Sequence, residues 1–317
     1  MEDNKTMIVE KAQKILGQVA KAVEGKDHVL VWVMAAFLAK GHILMEDIPG
    51  VGKTNLAVAF AKSLGLSCNR VQFTPDVLPS DVTGYSVPDP QTHVLHYRPG
   101  AVLCNLFLAD ELNRATSRTQ SALLEAMEEG QVTVDGTTHK LPDPFLVIAT
   151  QNPTGAAGTQ LLPDSQLDRF ALRLSLGYPD PKDECNMVKA RQEGNPIDNI
   201  RQVVTGEELM EMQAVTARTF LSDEVIAYAV NLINATRQSD QLLRGASPRA
   251  TLAVLSMAKA VAQLRGRDFV TAADVQEVIL PTVAHRLVLS HATQAQGLDA
   301  EQVLQGILAK VPAPKLR

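Results

Sequence analysis

The sequence has few of the features that mark membrane-spanning, disulfide-bonded or secreted proteins. No apolar run reaches the ~18 residues that a membrane-spanning helix needs. The polar, acidic start MEDNKTM does not resemble a signal peptide. The three cysteines, Cys68, Cys104 and Cys185, lie far apart and match no metal-binding or redox spacing. We therefore expect reduced thiols in a cytoplasmic protein without a membrane span.

The chain also lacks an excess of positive charge. The 317 residues carry a formal net charge of -5, and aromatic residues make up only 4% of the chain. Nucleic-acid-binding domains usually present a basic surface, and no basic stretch here is interleaved with aromatic residues. We therefore do not expect nucleic acid as a partner. The apolar fraction of 45% is normal for a globular protein.

Strand-like and helical patterns alternate along the first half of the chain. Short apolar runs typical of buried strands occur at residues 42–45, 70–73, 103–109, 145–150 and 171–176. Helical patterns occur at 9–40, with a break near Gly25, and at 54–64 and 117–129. This alternation predicts an α/β fold in which helices flank a parallel sheet.

Two segments and one boundary interrupt this pattern. Residues 82–100 and 130–141 contain turn residues typical of β-hairpins, with Asp135-Gly136 at the tip of the second. Pro and Asp punctuate residues 177–181, and beyond them helical patterns dominate. We predict helices at 206–218, 222–238, 248–264, 271–282 and 299–310. The chain is thus predicted to have an α/β domain over 1–179 and a small all-helical domain over 180–317.

The segment IPGVGKT, residues 48–54, lies between a predicted strand and a predicted helix. Phosphate oxygens need several converging donors, which the N–H groups of a glycine-rich loop and the following helix can supply. Lys53 would offer a full positive charge, and the Thr54 hydroxyl could ligate Mg²⁺. The remaining loop residues in the predicted ATP site are Pro49, Gly50, Val51, Gly52 and Asn55.

This loop departs from the usual motif at one position. Asp47 stands where the first glycine is expected. Because Pro49 and Gly50 can still form the turn, we expect the loop to keep its phosphate-binding shape.

An apolar run ending in two carboxylates, LFLADE at residues 106–111, is the second chemical signal. Asp110 is predicted to hold Mg²⁺ directly or through water, and Glu111 to orient and deprotonate the attacking water. An exposed strand end would explain the same residues when taken alone. Their place after the phosphate loop, with strands and helices between, favours catalysis.

Three further polar residues are candidates of a weaker kind. Asn152 follows the apolar run FLVIA and could position the lytic water, or it could simply end the strand. Arg169 in LDRF and Arg249 in SPRA each allow the plain interpretation of a surface charge. The pair Glu128-Glu129 is interpreted as a solvated helix end.

Taken in order, these motifs resemble the AAA+ ATPases, and specifically the MoxR family. The matching strings, spread over about residues 24–250, are IPGVGKT, VQFTPDVLPSDVTG, LADELNRA, QSALLEAMEEGQVTVDG, VIATQNP, LPDSQLDRF and GASPRA. The resemblance implies an AAA+ core followed by a helical lid that moves with the nucleotide state. The two hairpins look like the helix-2 insert and the pre-sensor-1 insert of that branch.

The resemblance also implies a role for each site residue. Lys53 and Thr54 correspond to Walker A, Asp110 and Glu111 to Walker B, and Asn152 to sensor 1. Arg169 looks like the arginine finger, which acts on ATP in a neighbouring subunit. Arg249 looks like sensor 2, reaching the γ-phosphate from the lid. Arg114 could also face the neighbour.

The function implied is that of an ATP- and Mg²⁺-dependent ring, usually a hexamer, that remodels protein partners. The usual partners of such proteins carry a von Willebrand factor A domain. Three alternatives remain open on the sequence: a chelatase-type motor subunit of the same clade, a DNA-acting AAA+ protein, and a slowly hydrolysing nucleotide switch.

Overall fold

A five-stranded parallel sheet forms the centre of the first part of the molecule. The structure is a computed structural model that describes residues 2–48, 50–152, 162–192 and 194–314. The strands in chain order are β1 (Ile43–Glu46), β2 (Cys68–Gln72), β3 (Gly84–Pro88), β4 (Leu95–Pro99), β5 (Leu106–Asp110), β6 (Gln131–Val134), β7 (Thr137–Lys140), β8 (Leu146–Gln151), β9 (Leu172–Leu174), β10 (Leu242–Arg244) and β11 (Val288–Leu289). The central sheet has the order β2-β5-β8-β1-β9, with every pairing parallel. The predicted α/β architecture is confirmed.

Both faces of this sheet are buried. Along β5, Leu106 and Leu108 belong to one hydrophobic core, while Phe107 and Ala109 belong to the other. Successive side chains of a strand point to opposite faces, so an uninterrupted apolar run requires cover on both sides. Because all the strands are parallel, the carboxyl ends of β1, β5 and β8 meet at one edge of the sheet. Open α/β sheets bind their ligands at this edge.

Helices cover the sheet and make up most of the second half of the chain. They are α1 (Glu2–Val19), α2 (Asp27–Leu38), α3 (Lys53–Leu64), α4 (Pro79–Thr83), α5 (Ser117–Glu129), α6 (Asp164–Leu167), α7 (Pro181–Gln192), α8 (Gly206–Ala217), α9 (Asp223–Arg237), α10 (Pro248–Leu264), α11 (Ala272–Val283), α12 (His291–Ala295) and α13 (Ala300–Lys310). The five helices predicted after residue 200 are all present. Thr205, Ser222, Thr271 and Asp299 each cap a helix by accepting a backbone N–H bond.

The longest helix that the sequence patterns did not predict is α7. α7 has no buried residue and a strongly polar composition. An amphipathic pattern arises only where one face of a helix packs against a core, so α7 leaves no apolar periodicity in the sequence. α7 forms one wall of a cavity beside the loop between β1 and α3.

The helical half shares a core with the N-terminal helices. Val33 and Phe37 of α2 are buried in the same cluster as Met212 of α8 and Met257 of α10. The Gln213 side chain donates to the Phe37 carbonyl oxygen at 2.8 Å. The helical half thus packs directly on α2.

Both predicted hairpins are present. β3 pairs with β4 and β6 with β7, and Asp135 and Gly136 adopt positive φ values of 49° and 77° at the second tip. The Tyr97 and His139 rings stack at 3.6 Å with an interplanar angle of 11°. This contact joins the two hairpins, and nothing in the sequence indicated it.

Across the described residues, no helix combines the length and apolar character that a bilayer-crossing helix requires.

Candidate active site

The loop between β1 and α3 has the backbone that its glycines predict. Gly50 and Gly52 adopt φ values of 89° and 97°, a region in which residues with a side chain are strained. A Cβ added at either glycine would meet no atom within 4 Å. Backbone conformation rather than crowding therefore requires glycine, and open space is left beside the loop. Pro49, the other predicted turn residue, lies outside the described residues.

Lys53 begins α3 and is buried beside this loop. Its Nζ donates to the carbonyl oxygens of Asp47 at 3.0 Å and Ile48 at 3.4 Å. Burial lowers the pKa of Lys53, while the carboxylates of Asp47, Asp110 and Glu111 oppose that shift. Within the described residues no carboxylate forms an ion pair with Lys53, so a bound anion would complete its surroundings.

Asp47 turns out to anchor the loop. Its carboxylate accepts hydrogen bonds from Ser175 Oγ at 2.7 Å and from the backbone N–H groups of Leu176 at 2.6 Å and Gly177 at 3.0 Å. Asp47 does not have a positive φ, so its backbone has no need of glycine. In the sequence Asp47 is only a departure from the motif, whereas in the structure it ties the start of the loop to the segment after β9.

Asp110, at the carboxyl end of β5, is held by its two neighbouring strands. Oδ2 accepts from Arg70 Nη2 of β2 at 2.7 Å, and Oδ1 accepts from Thr150 Oγ1 of β8 at 2.7 Å. Ion pairs formed by guanidinium groups are charge-assisted and fix side-chain direction. The contact with Arg70 was not foreseen, because parallel strand neighbours cannot be identified from one sequence.

Glu111 follows in a backbone conformation that is rare for a residue with a side chain. Its φ of 56° lies in the left-handed region, where such residues are found mainly at functional or strained positions. The Glu111 N–H donates to Thr150 Oγ1 at 2.8 Å, and its carboxylate accepts from Arg114 Nη1 at 2.7 Å. In this subunit Arg114 is thus a partner of Glu111.

These side chains line one cavity at the carboxyl edge of the sheet. It brings together the predicted residues Gly50, Gly52, Lys53, Thr54, Asn55, Asp110, Glu111 and Asn152. Residues that were not predicted also line it, among them Arg70, Gln72, Gln151 and Arg191. The buried Gln151 Oε1 has no hydrogen-bond partner within the described chain, which leaves an oxygen acceptor available there.

The oxygen donors in this cavity fit Mg²⁺. The described residues contain no group of three or more His, Cys, Asp or Glu side chains that could hold a metal by themselves. Mg²⁺ commonly uses one or two protein oxygens and completes its shell with water and substrate phosphates. The Thr54 hydroxyl and the Asp110 carboxylate, on the same cavity wall, are donors of that kind.

A second cavity adjoins the first and is more apolar. Gly50, Gly52, Asn55 and Arg191 line both cavities. The additional walls come from the loop after α1, from the segment after β9, from α7 and from the segment after α7, through residues that include Val23, Tyr178, Met187 and Ile197. The two cavities form one continuous site, polar at the strand ends and apolar beyond the loop.

Arg169 and Arg249 lie in a separate cleft. Arg169 Nε donates to Glu128 Oε2 at 2.9 Å, and Arg249 Nη2 donates to Glu128 Oε1. The bond from Arg169, followed by the charges of Arg249 and Arg169, lowers the pKa of Glu128. His42 and Met127 complete the lining, and none of the described residues of the phosphate loop takes part.

Two interpretations change as a result. Glu128 is not a simple solvated helix end, because it binds two arginines from distant parts of the chain. Arg249 does not reach the phosphate loop of its own subunit in this arrangement. Its predicted contact with a γ-phosphate stays a prediction.

A network of hydrogen bonds fixes the backbone beside both arginines. The buried Arg286 donates from Nη1 to Asp168 Oδ1 at 2.6 Å and from Nη2 to the Phe170 carbonyl oxygen at 2.7 Å. Ser247 Oγ donates to Asp168 Oδ2 at 2.8 Å. Asp168 precedes Arg169, and Ser247 lies two residues before Arg249. The segment that carries Arg169 is therefore joined to the helical half of the same subunit.

Known proteins are similar to this chain over almost its whole length, and two family models match parts of it. Residues 42–172 match the ATPase family associated with various cellular activities (AAA), and residues 234–307 match the AAA lid domain. The uncharacterized protein YeaC of Bacillus subtilis (strain 168) is 42% identical over 304 residues, which cover 96% of this chain and 95% of that protein.

Two further relatives extend this similarity. Chaperone MoxR1 of Mycobacterium tuberculosis is 36% identical over 313 residues, covering 96% of this chain and 82% of MoxR1. The crystal structure of a candidate ATPase from Cytophaga hutchinsonii superposes with a TM-score of 0.91 at 33% identity, covering 99% of this chain and 98% of the other.

Proposed function

Because the chain belongs to the MoxR family of AAA+ ATPases, we propose that it hydrolyses ATP in an oligomeric ring and uses the energy to remodel or assemble protein partners. The observation that carries this proposal is the cavity at the strand ends. A buried lysine, a glycine loop and two carboxylates on adjoining elements line it together.

In the proposed complex, the triphosphate lies across the loop of residues 50–52 and the amino terminus of α3. The backbone N–H groups and the positive end of the helix face the phosphates. Lys53, which has no carboxylate partner within the described chain, supplies a full positive charge to the β- and γ-phosphates. The adjoining apolar cavity takes the nucleotide base, with Val23 and Met187 among its walls.

The hydrolytic step falls to residues at the ends of β5 and β8. Glu111 accepts a proton from the attacking water, and Asn152 orients that water. Thr54 and Asp110 would hold Mg²⁺, which supplies charge neutralisation to the phosphate oxygens. In the structure Arg114 binds Glu111 at 2.7 Å, so this ion pair has to open or shift before Glu111 can act as a base.

Arg169 and Arg249 complete the site from outside. Both lie in a cleft away from the phosphate loop of their own subunit. An inserted arginine stabilises the charge that develops on the transferred phosphoryl group. We therefore assign both residues to the nucleotide of the adjacent subunit, which makes turnover depend on assembly.

The wider role is proposed by analogy. One relative that matches almost the whole chain is named a chaperone, which favours remodelling of proteins over the chelatase-type and DNA-acting alternatives. A hexameric ring and a partner with a von Willebrand factor A domain remain parts of this proposal.

Affinity capture with Glu111→Gln tests the function. This variant should bind ATP and stall as an assembled ring that retains its partner, because its amide cannot take a proton from water. The matched control is Lys53→Ala, which should neither bind ATP nor retain the partner. Equal protein recovery on both variants would argue against an ATP-dependent remodeller.

A further inference from the structure

The position of Glu128 is unfavourable for a carboxylate on its own. It lies in the last turn of α5, where the helix dipole presents its negative end. α5 has no basic residue in that turn. The compensating charges come from Arg169, in the segment before β9, and Arg249, in α10. A single carboxylate therefore draws together two arginines from different elements.

The atoms used in these contacts leave each arginine available for a ligand. Arg169 reaches Glu128 through Nε, so its terminal Nη1 and Nη2 groups have no hydrogen-bond partner among the described residues. Arg249 binds Glu128 through Nη2, which leaves its Nε and Nη1 groups available as donors. A guanidinium group presents a planar fork of N–H donors that matches two phosphate oxygens. Glu128 thus holds one edge of each arginine and leaves another edge open.

The backbones that carry these side chains are already fixed. Arg286 and Ser247 bind Asp168, the residue before Arg169, and Arg286 also binds the carbonyl oxygen of Phe170. What this network leaves undetermined is the direction of the two long arginine side chains. They are 31% and 44% exposed, and like charges side by side repel each other without an anion between them.

We infer that Glu128 is a positioning residue for ATP hydrolysis, which aims Arg169 and Arg249 together at the phosphates bound by the adjacent subunit. The inference rests on the proposed function, in which these arginines act across the subunit interface. Glu128 itself does not contact the nucleotide in this account. It acts by cancelling the repulsion between the two guanidinium groups and by fixing which of their edges faces outward.

Glu128→Gln tests this inference, with Glu129→Gln as the matched control on the same helix turn. The amide keeps the shape of Glu128 but lacks its charge. Losing two charge-assisted hydrogen bonds should lower kcat roughly 10- to 100-fold, with the KM for ATP within about twofold. Glu129→Gln should match the wild type in both constants, and both variants should unfold at similar temperatures.

Two measurements separate positioning from a structural role. The affinity for ADP–aluminium fluoride should fall by a factor similar to that in kcat, while the affinity for ADP is unchanged, because the arginines act only on the transferred group. Adding Glu128→Gln to Arg169→Ala should slow turnover much less than it does in the wild type, because the two residues act as a unit.

The same variants distinguish the possible failures. If Arg169→Ala is slow while Glu128→Gln turns over at the wild-type rate or faster, Glu128 does not position the arginines and only this inference is overturned. If Arg169→Ala itself turns over at the wild-type rate, the proposed interface role fails, and the inference fails with it. A loss in Glu129→Gln equal to that in Glu128→Gln would also contradict the assignment.

Discussion

The cavity at the strand ends and the cleft around Glu128 differ in what one subunit can supply. The cavity has donors for phosphate, oxygen ligands for a cation and a candidate base, all from one chain. The cleft contains two arginines with open N–H groups and one carboxylate between them. One subunit therefore carries a candidate phosphate and metal site and, elsewhere, two arginines that in the proposed ring would face the nucleotide of a neighbouring subunit. Assembly would then be a chemical requirement of turnover.

Among variants of the strand-end cavity and of the cleft around Glu128, we expect the largest loss of turnover from Glu111→Gln. ATP affinity should stay near that of the wild type, because the amide preserves size and no phosphate contact is lost. Turnover should fall roughly 10²- to 10⁴-fold with the loss of the general base. Single-turnover phosphate release measures this, with Glu125→Gln at an exposed position of α5 as the control. Wild-type release by Glu111→Gln would place the base on another residue.

Lys53→Ala should weaken nucleotide binding in the strand-end cavity and leave the cleft around Glu128 unchanged. No other described lysine is placed to charge the outer phosphates, so ATP affinity should fall by at least roughly 100-fold. Equilibrium titration with labelled ATP measures the change, with the exposed Lys14→Ala as the control. The Lys53→Ala subunits should still offer a working Arg169 to a neighbour. Wild-type affinity would contradict the placement of the phosphate loop.

A smaller effect concerns the stability of the cleft. Burial lowers the pKa of His42 from 6.5 to about 4. Its Nδ1 accepts from the Val147 N–H and its Nε2 donates to the Met127 carbonyl oxygen, each at 3.1 Å. In the folded state His42 resists protonation, whereas in the unfolded chain His42 takes up a proton as the pH falls below 6.5. The His42 contribution is therefore intact above pH 6.5 and declines as the pH falls toward 4.

Chemical denaturation at a series of pH values measures this decline. Between pH 6.5 and 5, we expect about 2 kcal/mol to be lost from the free energy of unfolding because of His42. The buried His285, whose pKa burial also lowers, adds to the same trend. In His42→Gln the slope of the free energy of unfolding against pH should decrease by the equivalent of close to one bound proton. An equal dependence in the variant and the wild type would show that His42 is not the group responsible.

The sequence was sufficient for features that depend on local patterns. The strand runs, the two hairpin turns and the glycine loop each follow from residue periodicity or from backbone preferences at Gly50, Gly52 and Gly136. Most residues of the strand-end cavity could be predicted because they end or directly follow a strand, or lie in the glycine loop and at the start of the helix after it. Parallel strands bring such positions together whatever the rest of the fold does.

The features that the sequence analysis missed depend on contacts between distant parts of the chain. The pairing of Arg70 with Asp110 requires the strand order, and the contact of Arg286 with Asp168 joins residues 118 positions apart. Glu128 was interpreted as solvated because nothing nearby in the sequence carries a positive charge. α7 could not be recognised because it buries no residue.

The most direct test of assembly-dependent hydrolysis mixes two inactive variants. Arg169→Ala keeps its own cavity but lacks the cation for a neighbour, whereas Lys53→Ala has the opposite defect. Arg169→Ala alone should bind ATP nearly as well as the wild type and lose roughly 10³-fold or more in turnover. We predict that mixing the two variants restores part of the ATPase rate, and that the restored rate rises with protein concentration. No restoration, in mixtures shown to contain mixed rings, would contradict an action of Arg169 across the interface.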